Sequence, residues 1–205
     1  MKKPVLNKKY NALGNDTRYF VVTGGRGSGK SFAITTFLAF LTFEQGHKIL
    51  FTRYTMISAA NSIIPEFLEK LQLYDIVEHF RITKDEILNI STGSSILFKG
   101  IRTSAGNQTA ALKSISGITT WVLDEAEELI KEEDFDKIDQ SVRAKNKPNR
   151  VIMVLNPATK EHWLYQRFFI GKAVNAGFNG KKDIVTYIHT TFKDNIENLS
   201  ESFLL

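Results

Sequence analysis

The sequence contains no cysteine. That excludes disulfides and thiolate-ligated zinc, and fits a reducing compartment. No apolar stretch reaches the roughly 20 residues that a membrane-spanning helix needs. The opening MKKPVLNKKY has lysines but no apolar core behind them, so it does not read as a secretory signal. There is no internal repeat and no low-complexity tract. The 4 histidines, His47, His79, His162 and His189, show no metal-ligand spacing. His162 reads as packing or capping a helix. The net charge is only +5, without an obvious basic stripe. It suits an anionic partner but does not demand one.

What remains is ordinary for a globular protein: 205 residues, 42% of them hydrophobic, enough for one large domain or one domain with appendages. Apolar segments alternate with helical ones. Strands are expected at 19–23, 48–53, 119–124, 150–157, ended by its proline, and 183–192. A helix is expected at 31–43, and another at 58–73 with Pro65 as a boundary or kink. Residues 86–100 read as a hairpin turning at Thr92 and Gly93. Near-continuous apolar strands alternating with helices predict a mainly parallel sheet covered on both faces. In such sheets ligands sit at the C-terminal strand ends. Gly24, Asp124 and Asn156 each stand at such an end.

The segment YFVVTGGRGSGKSFAITTFLAF (19–40) carries the strongest signal. Gly24, four residues, then Gly29, Lys30 and Ser31 fit the phosphate-binding loop, in the strand–loop–helix context that loop requires. Gly24, Gly25, Gly27 and Gly29 let the backbone turn and approach a ligand closely. The N–H groups from Gly24 to Ser31, with Arg26 and Ser28 between, then form an anion nest at a helix N-terminus. Lys30 would reach the β- and γ-phosphates, and Ser31 would hold Mg²⁺. The sequence TTWVLDEAEEL (119–129) is a strand running into an acidic helical turn. Asp124 at its end would hold Mg²⁺, and Glu125 can orient and deprotonate a water, which points to hydrolysis.

Asn156, in VLNPATKEHW, lies where an amide could sense the γ-phosphate, or could simply start an Asn-Pro turn. Arg26 lies inside the loop, where a cation can stabilise transition-state charge. Arg53 and Arg143 read more readily as structural or surface arginines. NKKY (7–10) and NKPN (146–149) lack the aspartate of a guanine-reading N-K-x-D. A small-molecule kinase would have no need of Glu125.

GGRGSGKS, FKGIRTSAGNQTAALKSISGITTWVLDEAEEL, VIMVLNPATKEHW and HTTFKDN together resemble the large terminase subunit of tailed bacteriophages, over roughly residues 15–195. The arginine in the loop, the Lys113–Ser114 pair, the Asp-Glu pair and the Asn-Pro with His-Trp carry the likeness. The resemblance implies a RecA-like P-loop NTPase fold of the additional-strand, catalytic-glutamate type. It implies Mg-dependent ATP hydrolysis driving double-stranded DNA into a procapsid, with Lys30, Ser31 and Asp124 on phosphate and Mg²⁺, Glu125 as base, Arg26 as the loop arginine and Asn156 as the coupling residue. It also implies a portal ring, a small subunit and a ring of motor copies, in the bacterial host cytoplasm and transiently on the procapsid. As an isolated domain the chain is expected to be a monomer that contacts DNA weakly, through phosphates and without sequence preference. Residues 1–17 are expected as an N-terminal segment in which Tyr10 and Asn11 loosely match an adenine-contacting motif. Residues 18–195 are expected as the ATPase domain, and 196–205 as the start of a linker to a nuclease domain that is not in this sequence, so no DNA cleavage is expected. The alternatives are another P-loop translocase or helicase, and a non-catalytic nucleotide-binding module.

Overall fold

A computed structural model describes residues 5–56, 61, 63–103, 106–157 and 159–204. They form one sheet of ten strands. β1 (Tyr19–Thr23) leads through a glycine-rich loop into α1 (Lys30–Leu41), β2 (Lys48–Thr55) and α2 (Ile63–Leu73). Then come β3 (Phe80–Ile82), β4 (Glu86–Asn89), β5 (Ser95–Thr103), β6 (Gly106–Asn107) and α3 (Thr109–Lys113). The second half comprises β7 (Thr120–Asp124), α4 (Glu132–Asp139), β8 (Arg150–Leu155), α5 (Trp163–Phe168), β9 (Gly180–Lys182), β10 (Val185–His189) and α6 (Glu201–Leu204). The order across the sheet is β3-β4-β5-β2-β7-β8-β1-β10-β9, with β6 beside β5.

The centre, from β5 through β2, β7, β8 and β1 to β10, is parallel throughout. The antiparallel pairs are confined to the margins, in β3, β4, β6 and β9. Central strands are apolar on both faces because both faces are covered. Phe20 and Val22, Ile49 and Phe51, Val122, and Ile152 and Val154 point into one core with α1 and α2. The alternate residues Val21, Leu50, Trp121 and Leu123, Val151 and Met153 point into a second core with α3, α4 and α5. The apolar circumference of α1 has a similar cause: Ile34 and Leu38 face the sheet, while Ala39 packs with Leu71 and Tyr74 on the outside.

Several boundaries differ from expectation for local reasons. Residues 58–60 and 62 of the expected second helix lie outside the described residues. Within α2, Pro65 occupies the first turn, where its missing N–H has no intrahelical acceptor to lose, so it neither ends nor kinks the helix. The segment after β7 is not an α-helix. Glu125 has φ 54°, and only a 3₁₀ turn, Ala126–Glu128, follows before α4. The hairpin at β4–β5 is present, and Gly93 turns it at φ 74°.

The second core centres on Phe135, whose ring lies 5.0 Å from that of Trp121 and 4.9 Å from that of Trp163. The two indoles are anchored by Trp121 Nε1 donating to Thr52 Oγ1 at 2.9 Å and Trp163 Nε1 donating to the Leu129 carbonyl at 2.6 Å. Anchored neighbours cannot collapse into a void, so Phe135→Ala is expected to cost about 3–5 kcal/mol. An unfolding free energy from denaturant titration lowered by less than a third of that would show the cluster to be soft.

Candidate active site

Parallel register carries the site to one edge. Thr23 at the end of β1 pairs with Leu155 of β8 and with His189 of β10, and Asp124 at the end of β7 pairs with Arg53 and Val154. β8 thus lies between the strand that feeds the glycine loop and the strand that ends in Asp124.

The loop is seated by close main-chain approach. A Cβ on Gly24 would lie 2.3 Å from the Thr190 carbonyl oxygen, just past β10, so only glycine fits. Gly27 and Gly29 have φ of 74° and 80°, which glycine adopts without strain. Ser28 is buried, and its hydroxyl donates to the Gly25 carbonyl at 2.7 Å. Its side chain therefore staples the loop, which leaves its backbone N–H as the group for a ligand. The Tyr10 hydroxyl lies 3.2 Å from the Ser28 carbonyl, to which it donates, and 2.8 Å from Thr190 Oγ1. Burial pushes that phenol's pKa up to about 12, so it is neutral and able to donate. Gly29 caps α1 with no side-chain bond, which leaves the first-turn N–H groups of the helix to a ligand.

Lys30 Nζ donates to the Gly24 carbonyl, to the Gly25 carbonyl at 3.1 Å and to Asn156 Oδ1 at 3.4 Å. Burial pushes its pKa down, against the pull of the Glu127 and Asp124 carboxylates. Opposite, Arg53 Nε and Nη2 both contact Asp124 Oδ2 at 2.8 Å, and Nε lies 3.9 Å from Glu125 Oε2. Burial works against the Arg53 charge, but Asp124 and Glu125 raise its pKa overall. Glu125 is half-buried. Burial raises the pKa of its carboxyl, Arg53 opposes that, and Asp124, Glu128 and Glu127 add to it. A carboxylate so raised is a stronger base.

One cleft of about 460 Å³ is lined by residues from Gly25 to Phe32, by Arg53, Asp124, Glu125 and Asn156, and by Asn195. It brings together Arg26, Lys30, Ser31, Asp124, Glu125 and Asn156 from separate segments. Arg26 is exposed and forms no ion pair among the described residues. Gly24 lies beneath the cleft rather than in its lining. Asn11 is exposed and lines neither of the two cavities beside the loop, whereas Tyr10, a buried strut, lines the smaller one. Both cavities are also lined by Val5, Leu6, Asn7 and the 194–198 stretch, and the larger is about 440 Å³.

Arg143 lies elsewhere, lining a separate cavity with Lys113 and Ser114. His162 caps α5, its Nδ1 accepting from the Leu164 N–H at 3.2 Å. Sequence reasoning read Arg53 as a surface arginine or a structural ion pair. The pair exists, but its partner is Asp124 itself. Asn195 had no individual signal beyond its place in HTTFKDN; its Nδ2 donates to the Gly27 carbonyl at 2.9 Å.

A loop of this form, joined to a parallel sheet in which one strand separates it from an acidic strand end, defines a RecA-like P-loop NTPase fold with an additional strand. The model of the phage terminase large subunit family matches residues 16–204, and the chain belongs to that family. Among solved structures, the large terminase of a thermophilic bacteriophage is similar at TM-score 0.70 and 14% identity, covering 97% of this chain and 48% of that one. The same thermophilic-phage protein is matched in complexes with ADP and with ATP-γ-S, at TM-scores 0.69 and 0.67. The large terminase ATPase domain of Thermus phage P74-26 is similar at TM-score 0.65 and 15% identity, covering 96% of this chain and 84% of that one. The bacteriophage Phi-29 viral genome packaging motor assembly follows at TM-score 0.59 and 16% identity, covering 92% of this chain and 59% of that one. The chain spans about half the length of the first of these large terminases, at 48%. No curated protein matches the chain. The family match sets aside the helicase alternative.

Gly24 and Gly25 provide an internal control on how the loop is seated. Gly24→Ala forces a methyl against backbone and is expected to destabilise by about 1–3 kcal/mol. Gly25→Ala meets nothing within 4 Å and is expected to keep nearly full stability. Equal melting temperatures for the two variants would contradict the close approach at Thr190.

Proposed function

We propose that this chain is the ATP-hydrolysing motor domain of a phage large terminase, powering translocation of double-stranded DNA into a procapsid. The observation that carries the proposal is the convergence of Lys30, Ser31, Asp124, Glu125 and Asn156 on one cleft beside the glycine loop. The complexes of the thermophilic-phage terminase with ADP and ATP-γ-S support the nucleotide, and the Phi-29 motor assembly supports the packaging role.

In this reading the N–H groups of Gly25–Ser31 cradle the phosphates. Lys30 exchanges its carbonyl partners for phosphate oxygens. The oxygen donors Ser31 and Asp124 fit Mg²⁺, which keeps most of its waters and needs few protein ligands. Arg53 occupies Asp124 Oδ2, and Oδ1 is the oxygen left for the metal. Bound there, Mg²⁺ would neutralise charge on the phosphate oxygens. Glu125 orients the attacking water and takes its proton. Arg26 faces the γ-phosphate, from its own site or a neighbour's. The cavity between Val5–Asn7 and Asp194–Asn198 adjoins Ser28 and Gly29 of the loop, and in this reading it takes the nucleoside, so the N-terminal segment 1–17 acts there with Leu6, Asn7 and Tyr10 in the lining. Residues 18–195 form the ATPase domain and 196–205 begin a linker. Portal ring, small subunit and a ring of motor copies are the partners, in the host cytoplasm and on the procapsid. With a net charge of +5, DNA contact is weak and made through phosphates.

Glu125→Gln keeps the size and removes the proton acceptor. Turnover is expected to fall ~10²–10⁴-fold with nucleotide binding retained. Turnover within twofold of wild type would remove Glu125 as base, and absent wild-type turnover would favour a non-catalytic module. Arg26→Ala is expected to lower the turnover number by up to ~10³-fold while changing the nucleotide dissociation constant little. Arg26→Lys should rescue poorly, because an ammonium lacks the planar fork. A binding defect with normal turnover at saturating ATP would make Arg26 only a phosphate anchor.

A further inference from the structure

The acidic turn after β7 holds a carboxylate that the proposed hydrolysis leaves without a role. The positive φ of Glu125 ends β7 sharply, and the turn Ala126–Glu128 swings back over the end of β8. Glu127 Oε1 there accepts from Asn156 Nδ2 at 2.7 Å. Its other oxygen, Oε2, is buried and has no partner among the described residues. The far end of the same amide, Asn156 Oδ1, accepts from Lys30 Nζ at 3.4 Å. A carboxylate only accepts and an ammonium only donates, which fixes the amide in this orientation. Flipped, it would set oxygen against Glu127 and NH₂ against the Lys30 ammonium.

We propose that Glu127 is a positioning residue that controls which end of the Asn156 amide faces the γ-phosphate, and thereby sets the discrimination between nucleoside triphosphate and diphosphate. The proposal rests on the reading of the cleft as an ATP site. Phosphate oxygens accept hydrogen bonds, so Asn156 recognises a γ-phosphate only through its N–H. Glu127 holds one of the two N–H groups of Nδ2, and the end of the amide beside Lys30 is the oxygen. To turn its NH₂ toward a phosphate at Lys30, the amide must break its exposed 2.7 Å bond to Glu127 Oε1 and set Oδ1 against that carboxylate, whose buried Oε2 already has no partner among the described residues. Two acceptors set face to face repel, which disfavours the turned amide. A diphosphate has no γ group and makes no such demand. Triphosphate binding therefore works against a restraint that diphosphate binding does not feel. Asn156 thus bridges Glu127 of the acidic turn to Lys30, so the restraint joins the two halves of the cleft.

The test is a comparison of ATP-γ-S and ADP affinities by titration calorimetry on the full chain with Mg²⁺. Glu127→Gln keeps the shape and can pair with Asn156 in either orientation. It is expected to raise affinity for ATP-γ-S ~10-fold, about one charge-assisted hydrogen bond, with ADP affinity within twofold. Glu127→Ala, which removes both oxygens, is expected to shift the ratio in the same direction. In an Asn156→Ala background neither change should move the ratio, because the amide it acts through is gone. An unchanged ratio in folded Glu127 variants, or the same change with Asn156→Ala, overturns the role of Glu127 alone. Wild type that binds neither nucleotide overturns the ATP-site reading, and this inference with it.

Discussion

The approach of Gly24 to the Thr190 carbonyl is the constraint on which the site depends. A side chain there would overlap backbone, and backbone has no rotamer to give way with. The approach ties the end of β1 to the end of β10, and Tyr10 bonds both sides of the joint through Ser28 and Thr190. A loop of consecutive glycines would otherwise lose much entropy on ordering. Here it is held at its root by the sheet, inside by Ser28, and above by Asn195. Leu199 and Phe203 complete the enclosure against Gly27, where a Cβ would lie 2.8 Å from the Phe203 ring. The segment that follows the sheet therefore touches the same loop that the sheet presents.

Electrostatics supply the second requirement. Asp124, Glu125, Glu127 and Glu128 crowd one strand end, and Glu66 faces them from α2. Burial raises the pKa of the Glu66 carboxyl, which Arg53 opposes and Asp124 reinforces. Uncompensated, such a cluster would repel itself and an incoming phosphate. Arg53 answers part of that charge within the strand edge, and Lys30 faces the remainder across the cleft. Because Arg53 is part-buried, the pair is screened less than a surface ion pair, and removing either partner alone would strand a charge.

What was legible in the sequence followed from chemistry that is local in the chain. Lys30, Ser31, Asp124 and Glu125 declare themselves by spacing after apolar strands, and both-face apolarity announced the covered parallel sheet. The short marginal strands β3, β6 and β9 carried too few residues to show a period. The turn at 126–128 looked helical because acidic residues suit a first helical turn. The positive φ of Glu125 that prevents an α-helix is set by tertiary packing, which one chain's pattern does not display. Arg53 was weighed as structural because its partner lies 71 positions away in sequence and becomes a neighbour only through the pairing of β2 with β7. Tyr10 was noticed for its position before the loop, but its buried bonds to Ser28 and Thr190 depend on long-range pairing that the sequence does not display.

The order of strands gives the arrangement its scale. Neighbouring strands lie roughly 4.8 Å apart, so placing β8 between β1 and β7 sets their ends about 10 Å apart. Adjacent strands would bring the glycine loop against Asp124 and leave no room for anything but a metal. Two strand spacings leave width for a phosphate group and a water between Lys30 and Glu125. The strand that creates the gap also ends in it, which is why Asn156 stands midway with one end of its amide toward each side. An amide suits that place, because its acceptor and its donor sit on separate atoms of one planar group and so face an ammonium on one side and a carboxylate on the other. An aspartate there would add repulsion to an acidic edge, and an aliphatic residue would leave Lys30 and Glu127 unconnected.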